Sequence, residues 1–348
     1  GVWIMAYTTI DKSEDYFNTL IYTGNGTSGR SVTGVGFKPD WVWIKNRDDN
    51  DPNKVFDIAR GVSKSLKTNS SDSEANEEEN GYVSAFNSDG FTLTQGSSSQ
   101  QDVNKNNEKY VSWNWLASNT TASNTDGGIT STVSVNTTAG FSICSWTHNG
   151  GNTTIGHGLG AVPQVVITKE RNNSGSWNSY FSAVGNGHRM VLQGTNAKIS
   201  SSIWNSTTPT STVFSMNDSI TSTMIAYCFA EKKGFSKFGS YTGNGSTDGT
   251  FVYTGFKPAW VMAKKTSGSG SWRIWDNRRE GYNGDNAFSY ANLSNAEEAD
   301  GTIADLCSNG FKWRGNSQDM NGSGGSYLYM CFAENPFVSS SGVAGTAR

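Results

Sequence analysis

Four tryptophans sit where an indole could meet a sugar. Trp177, Trp204, Trp272 and Trp275 lie beside Ser-, Gly- and Asn-rich segments, as in NNSGSWNSYF and TSGSGSWRIWD. An exposed indole face next to amides and hydroxyls binds carbohydrate by stacking and directed hydrogen bonds. These four are therefore the candidate glycan-contact residues. The competing reading is that they plug the open ends of β-sandwiches. Trp177 and Trp272 occupy matching places after a shared strand, which speaks for packing. Trp41, Trp43, Trp113 and Trp115 lie within apolar strands and read as core.

Other chemistry is thinner. A glycosidase needs two carboxylates facing each other across a cleft, yet the strand cores WVWI, QVVIT, WVMAK and AYCFA carry none. Asp57 and Asp276 each precede an arginine by three residues, Arg60 and Arg279, and read as structural ion pairs at strand ends. The histidines, His148, His157 and His188, are spaced by 9 and 31 residues, which fits no compact metal-ligand pattern. His157, in GHGLG, is placed to bond local backbone. Cys144, Cys228, Cys307 and Cys331 are far apart and form no CxxC pair, so they read as free thiols, Cys228 and Cys331 as small buried hydrophobes. No catalytic residue, metal or cofactor is assigned.

The elements that would position such groups follow from composition. Of 348 residues 40 are Gly; aromatics make up 12% and charged residues 16%. A typical domain has about 7% Gly and about 25% charged residues. Helical bundles and coiled coils need Ala, Glu, Lys and Leu in long periodic runs, and disordered chains are poor in aromatics. An all-β protein of many short strands remains. The net charge is -3 with both signs dispersed, so no basic stripe exists to follow nucleic acid. No apolar run approaches the roughly 18 residues that span a bilayer. The opening GVWIMAYTT does not read as a signal peptide, and Met5 is a candidate start. The acidic cluster from Glu74 to Glu79 reads as a solvated loop.

Three segments carry the same signals in the same order. Tyr22, Trp146 and Tyr241 each precede a proline (Pro39, Pro163, Pro258) by 17 residues. Phe91, Phe214 and Phe311 follow those prolines by 52, 51 and 53 residues. Each segment closes on an apolar strand: YVSWNWLA, MIAYCFAE or YLYMCFAE. TGNG, at 23–26 and 242–245, reads as a hairpin turn, and VFDIARGVSKSL as a short helix. In DWVWIK both faces are apolar, as in a sandwich strand covered on both sides. The expected architecture is three tandem antiparallel β-sandwiches of jelly-roll type. Their bounds are 17–117, 140–231 and 234–337, with an arm at 1–16, a polar linker or edge strand at 118–139 and a tail at 338–348.

The strings MAYTTIDKSEDYFNT, TLIYTGNG, GVGFKPDWVWIKNR, GHGLGAVPQVVITKER and YMCFAENPF resemble repeat-containing virion proteins of marine tailed bacteriophages. The resemblance runs from Met5 to about Phe337. It implies a structural or tail-fibre-like role with lectin-like sandwiches, and brings no catalytic motif. The expected protein is a non-enzymatic virion component, exposed on the particle and assembled in the host cytoplasm. It would be a rod-like, homotrimeric fibre subunit binding other virion proteins and host surface glycans through repeats two or three. The alternatives are a capsid-decorating protein without a receptor and, from the enzyme class, a polysaccharide depolymerase.

Overall fold

The computed structural model describes residues 7–344 apart from 77–78, 99–100, 280–282, 284–286 and 300–302. Met5 and the positions before it lie outside the described residues, as do Glu77 and Glu78 of the acidic cluster. Apart from one 3-10 turn, Ser13–Asp15, every regular element among the described residues is a strand. Within each sheet, neighbouring strands pair antiparallel.

The chain forms three principal sheets of six, eight and six strands. In the first unit the order is Phe17–Thr23, Lys109–Trp115, Trp41–Asn46, Lys54–Asp57, Lys64–Lys67, Ala75–Asn76. The third unit repeats it as Ser236–Thr242, Ser326–Pro336, Phe256–Lys265, Arg273–Asp276, Ala287–Tyr290, Glu298–Ala299. A separate three-stranded sheet accompanies each of these two. In the second unit two long strands, Phe141–Gly156 and Val213–Phe229, stay paired through a bulge between Asn149 and Gly151. The segment 118–139 supplies edge strands Ala122–Asn124 and Ser131–Asn136 to the second sheet.

Strand alternation explains where the core sits. Side chains two apart share a face, so Trp41 and Trp43 point opposite to Val42 and Ile44. Val42 and Ile44 enter a core private to the first unit, with Phe91 and Val83. Trp41 and Trp43 enter a core common to all three units, together with Val165, Ile167, Trp260 and Met262. Aromatic pairs cross that core: Phe17 stacks on Phe332 at 5.0 Å, Trp41 on Tyr227 at 4.3 Å, and Trp115 meets Trp260 edge-on at 5.8 Å. The expected rod is thereby corrected. Central strands apolar on both faces need two covers, and the second cover is the neighbouring units' sheets.

The junctions around that core close into a ring. Asn53, Trp177 and Trp272 precede equivalent strands, and each donates a side-chain N–H to the end of a neighbour's strand. Asn53 reaches the Tyr290 carbonyl at 3.0 Å, Trp177 that of Lys67 at 2.8 Å, and Trp272 that of Val191 at 3.0 Å. The first unit thus grips the third, the third grips the second, and the second grips the first. The backbone repeats the cycle: Glu297, Glu74 and Lys198 donate N–H to the carbonyls of Arg47, Arg171 and Thr266. At two junctions the arginine also forks onto the glutamate, Arg47 onto Glu297 and Arg171 onto Glu74.

Three buried lysines, Lys45, Lys169 and Lys264, end the inner strands at these junctions. Their ammonium groups donate to backbone carbonyls, two of them across a junction: Lys45 to Ser294 at 3.0 Å and Lys264 to Thr195 at 3.3 Å. Burial lowers each of the three to about 8.

Two local expectations change. VFDIARGVSKSL is two strands, Lys54–Asp57 and Lys64–Lys67, around a tight turn. The turn is held by Asp57, which accepts the backbone N–H and the Nε of Arg60, and by Gly61 at φ +89°. TGNG is not a hairpin turn. It carries the chain from the main sheet, where Phe17–Thr23 pairs with Lys109–Trp115, to the outer one, where Arg30–Thr33 pairs with Gly90–Thr94. Asn104 staples this crossover in the first unit by donating to Asn25 and Thr27, and Asn321 staples its counterpart in the third by donating to Asn244 and Ser246.

Candidate functional site

None of the four candidate tryptophans offers a stacking face. Trp177, Trp204, Trp272 and Trp275 are all buried, none more than 2% exposed. Trp177 and Trp272 are the junction donors described above. Trp204 donates to the His188 carbonyl at 3.0 Å and meets Tyr180 edge-on. Trp275 packs on Trp313 in the third unit's private core. Their Ser/Gly/Asn-rich neighbours, such as Asn172, Ser174, Ser206 and Ser267, remain exposed while the indoles turn inward. The packing reading holds for all four. Exposed aromatics lie elsewhere, at Phe251 and Tyr253 on the strand Phe251–Tyr253, which is buried only at Val252. The alternation in TFVYT was the available signal.

The Asp–Arg pairs are buried structural ion pairs. Arg279 Nε lies 2.7 Å from Asp276, and Arg60 makes the same contact with Asp57. Each aspartate is also a junction acceptor: Tyr227 donates its hydroxyl to Asp57 at 2.6 Å, and Trp113 its indole N–H to Asp276 at 3.0 Å. In the second unit the corresponding places hold Phe181 and Val184. His157 bonds local backbone at Nδ1, which accepts the Leu159 N–H, and distant backbone at Nε2, 3.2 Å from the Thr210 carbonyl. Burial lowers its pKa, so it is held as neutral imidazole. Among the described residues no three His, Cys, Asp or Glu side chains converge as metal ligands.

A polar cleft opens in the second unit. It measures about 230 Å³ and is lined by Glu170, Ser174, Ser176, Asn178, Arg189 and Asp218, with Ile220 and Met224 as an apolar wall. The ladder explains its position. Glu170 ends the inner strand Val165–Glu170, Asn178 begins the next strand, and Arg189 lies in the strand after that. Asp218 arrives from the far half of Val213–Phe229, opposite Gly151. Arg189 donates Nη1 to Asn178 Oδ1 at 2.8 Å, and its buried Nε has no partner. Glu170 accepts from Asn173 Nδ2 at 2.7 Å.

The sister units show why this cleft is open. Lys54 and Arg273 occupy the place of Asn178, each beginning the strand next to the inner one. There the place is covered by a segment absent from the second unit, QDVN at 101–104 and QDMN at 318–321. Asp102 of the first segment pairs with Lys54 at 3.0 Å, and Asp319 of the second with Arg273 at 3.1 Å. In the second unit the continuous strand Val213–Phe229 leaves no room for such a segment. Arg189, Glu170 and Asp218 were missed from the sequence because no motif joins them. The missing Q-D-x-N string in repeat two was the one detectable signal.

A protein family described as a domain of unknown function, DUF7483, matches residues 12–336. The chain belongs to the DUF7483 family. No curated protein and no solved structure matches this DUF7483 chain. The match embraces all three principal sheets, so the DUF7483 unit is the entire ring and no single sandwich within it.

Proposed function

We propose that this protein is a non-enzymatic structural component of a virion surface that attaches to glycans. The resemblance described above supports the virion setting. The cleft of the second unit carries the attachment reading. Its donors (Arg189, Asn178, Ser174, Ser176), acceptors (Glu170, Asp218) and apolar wall (Ile220, Met224) are the groups that hold a polyol ring, with hydroxyls on the polar groups and C–H faces on the wall.

The ring's polarity supports it too. Inner strands run in one sense, from Trp41 to Asn46, from Val165 to Glu170 and from Trp260 to Lys265. The first and last described segments meet near the starting end, where Asp11 accepts the backbone N–H of Ser340 at 2.6 Å and Tyr7 donates to the Gly255 carbonyl at 2.7 Å. The cleft lies at the opposite end. Attachment to a particle through the starting end would present the cleft outward. The test is a glycan array on the full chain, followed by location of the chain on the particle by electron cryo-microscopy. Saccharide binding with the cleft turned outward agrees; a chain lying cleft-down on the capsid with no saccharide bound would make it a decoration protein.

Depolymerisation is the second reading, favoured by two carboxylates, Glu170 and Asp218, in one cleft. Release of reducing ends that Glu170→Gln abolishes would establish it; saccharide binding without such release supports attachment alone.

A further inference from the structure

We infer that the cleft of the second unit takes a sugar unit bearing a carboxylate, a uronic-acid type of residue. The inference rests on the attachment reading and narrows its ligand. In the first and third units a cation of the main sheet meets a carboxylate of the covering segment, Lys54 with Asp102 and Arg273 with Asp319. The second unit has the neutral Asn178 at that place and a cation, Arg189, in the adjoining strand, and it lacks the segment that brings the carboxylate. Arg189 has no carboxylate within ion-pair distance among the described residues. Its one hydrogen bond is to an uncharged amide, and its buried Nε is unpartnered.

A guanidinium that lines a cleft with no carboxylate partner gains a charge-assisted bond from an anionic ligand. Arginine's planar fork matches a carboxylate with two parallel bonds. Asn178 Oδ1 is held by Arg189, and Asn178 also lines the cleft with an amide N–H2 that makes no hydrogen bond among the described residues. A ligand carboxylate seated on Arg189 and Asn178 therefore stands in for the aspartate that the sister units supply from their own chain.

The remaining groups set the rest of the ligand. Glu170 and Asp218 are acceptors that take hydroxyl donors, and their charge confines a ligand carboxylate to the side of the cleft beside Arg189. Ile220 and Met224 give the C–H face its wall. At about 230 Å³ the cleft is smaller than the usual small-molecule site of roughly 300–1,000 Å³, which suits one ring of a chain and excludes a buried oligosaccharide. A free carboxylic acid or a phosphate could also sit on an arginine, but neither uses the two carboxylates.

The experiment is titration calorimetry of the full chain with methyl glucuronide, methyl galacturonide and their neutral counterparts, methyl glucoside and methyl galactoside. Acetate and inorganic phosphate serve as further probes. The expected result is binding of a uronide at least tenfold tighter than its neutral counterpart. Arg189→Ala should weaken it by about tenfold to a hundredfold, the range for a charge-assisted bond. Arg189 is partly buried, so its removal could disturb the fold. Asn178→Asp is the second variant: it restores an internal carboxylate beside Arg189, leaves the fold in place by circular dichroism, and should abolish uronide binding.

Equal binding of uronide and neutral glycoside overturns the carboxylate while leaving glycan attachment standing. Uronide binding unchanged in Asn178→Asp overturns the assignment to this cleft. Acetate or phosphate binding as tight as the uronide overturns the sugar. No binding to any saccharide, here and on the array, removes the attachment reading itself.

Discussion

The junction between the first and second units can be tested by making it resemble another junction of the same ring. Asp57 and Arg60 are fully buried, and Tyr227 of the second unit donates to the same carboxylate. Arg60 also donates Nη2 to the Val55 carbonyl at 2.8 Å. Asp57→Ala leaves the buried Arg60 guanidinium only its longer 3.5 Å contact with Glu74 and orphans the Tyr227 hydroxyl; removing one partner of a buried pair costs about 3–5 kcal/mol. Roughly 4 kcal/mol or more is expected, a large part of the ~5–15 kcal/mol that holds a folded protein. Where the second unit meets the third, the corresponding places hold Phe181, Val184 and Met330, all packed in the shared core. The triple variant Asp57→Phe, Arg60→Val, Tyr227→Met copies that apolar version. Replacing a whole buried ion pair with packed hydrophobes is near neutral, so the triple variant should lose less than about 1.5 kcal/mol. The assay is equilibrium unfolding in guanidinium chloride, followed by tryptophan fluorescence and by circular dichroism. A triple variant as damaged as Asp57→Ala, or an Asp57→Ala within about 0.5 kcal/mol of the parent, would refute the equivalence of the junctions.

The lysine pins make stability depend on alkaline pH. Lys45, Lys169 and Lys264 titrate at about 8 when folded, against an ordinary 10.5. Between those values the unfolded chain holds more protons, so stability should rise with pH from about 8 towards 10, read as a rising denaturant midpoint. A flat or falling midpoint counts against it; above about 10 the buried tyrosines Tyr22, Tyr227 and Tyr241, all raised by burial, oppose the trend. Trp272→Phe removes the bond to the Val191 carbonyl and should cost about 1–3 kcal/mol in the same unfolding assay. Gly90→Ala would set a Cβ 2.1 Å from the Val32 carbonyl oxygen at φ +136° and should cost about 2 kcal/mol or more, seen as a lowered midpoint. Trp275→Phe should leave saccharide binding unchanged by calorimetry, since its indole is buried in the third unit's private core.

Features encoded within one repeat were legible. The alternation of Trp41 and Trp43 with Val42 and Ile44 required a strand covered twice, and the sheets cover it twice. The equal spacing to Pro39, Pro163 and Pro258 marked equivalent strands. What covered the second face was illegible, because the ring depends on bonds such as Trp177 to Lys67 and Trp272 to Val191, between residues 110 and 81 positions apart. Local composition misled for the same reason: Trp177 and Trp272 follow exposed Ser/Gly segments, and only contacts distant in sequence turn the indoles inward. The helix expected at 55–66 failed because Asp57 caps a turn there, a tertiary use of residues whose local pattern was ambiguous. The cleft was hidden because its key feature is a missing segment.

The ring also constrains how copies of this chain could assemble. Each junction is head-to-tail, one flank of a unit against the opposite flank of the next, which generates either a closed ring or an open filament. Here it closes after three units within one chain: first on third, third on second, second on first. Both flanks of every unit are consumed. The homotrimer expected from the sequence therefore has a counterpart already inside the chain, and further copies can meet only through the ends of the ring or the outer sheets. Contacts at the end bearing Asp11 and Ser340 would leave every cleft at the other end free. On the attachment reading proposed above, avidity would come from the number of chains presented together, one cleft each, because Asp102 and Asp319 cover the equivalent place in the sister units.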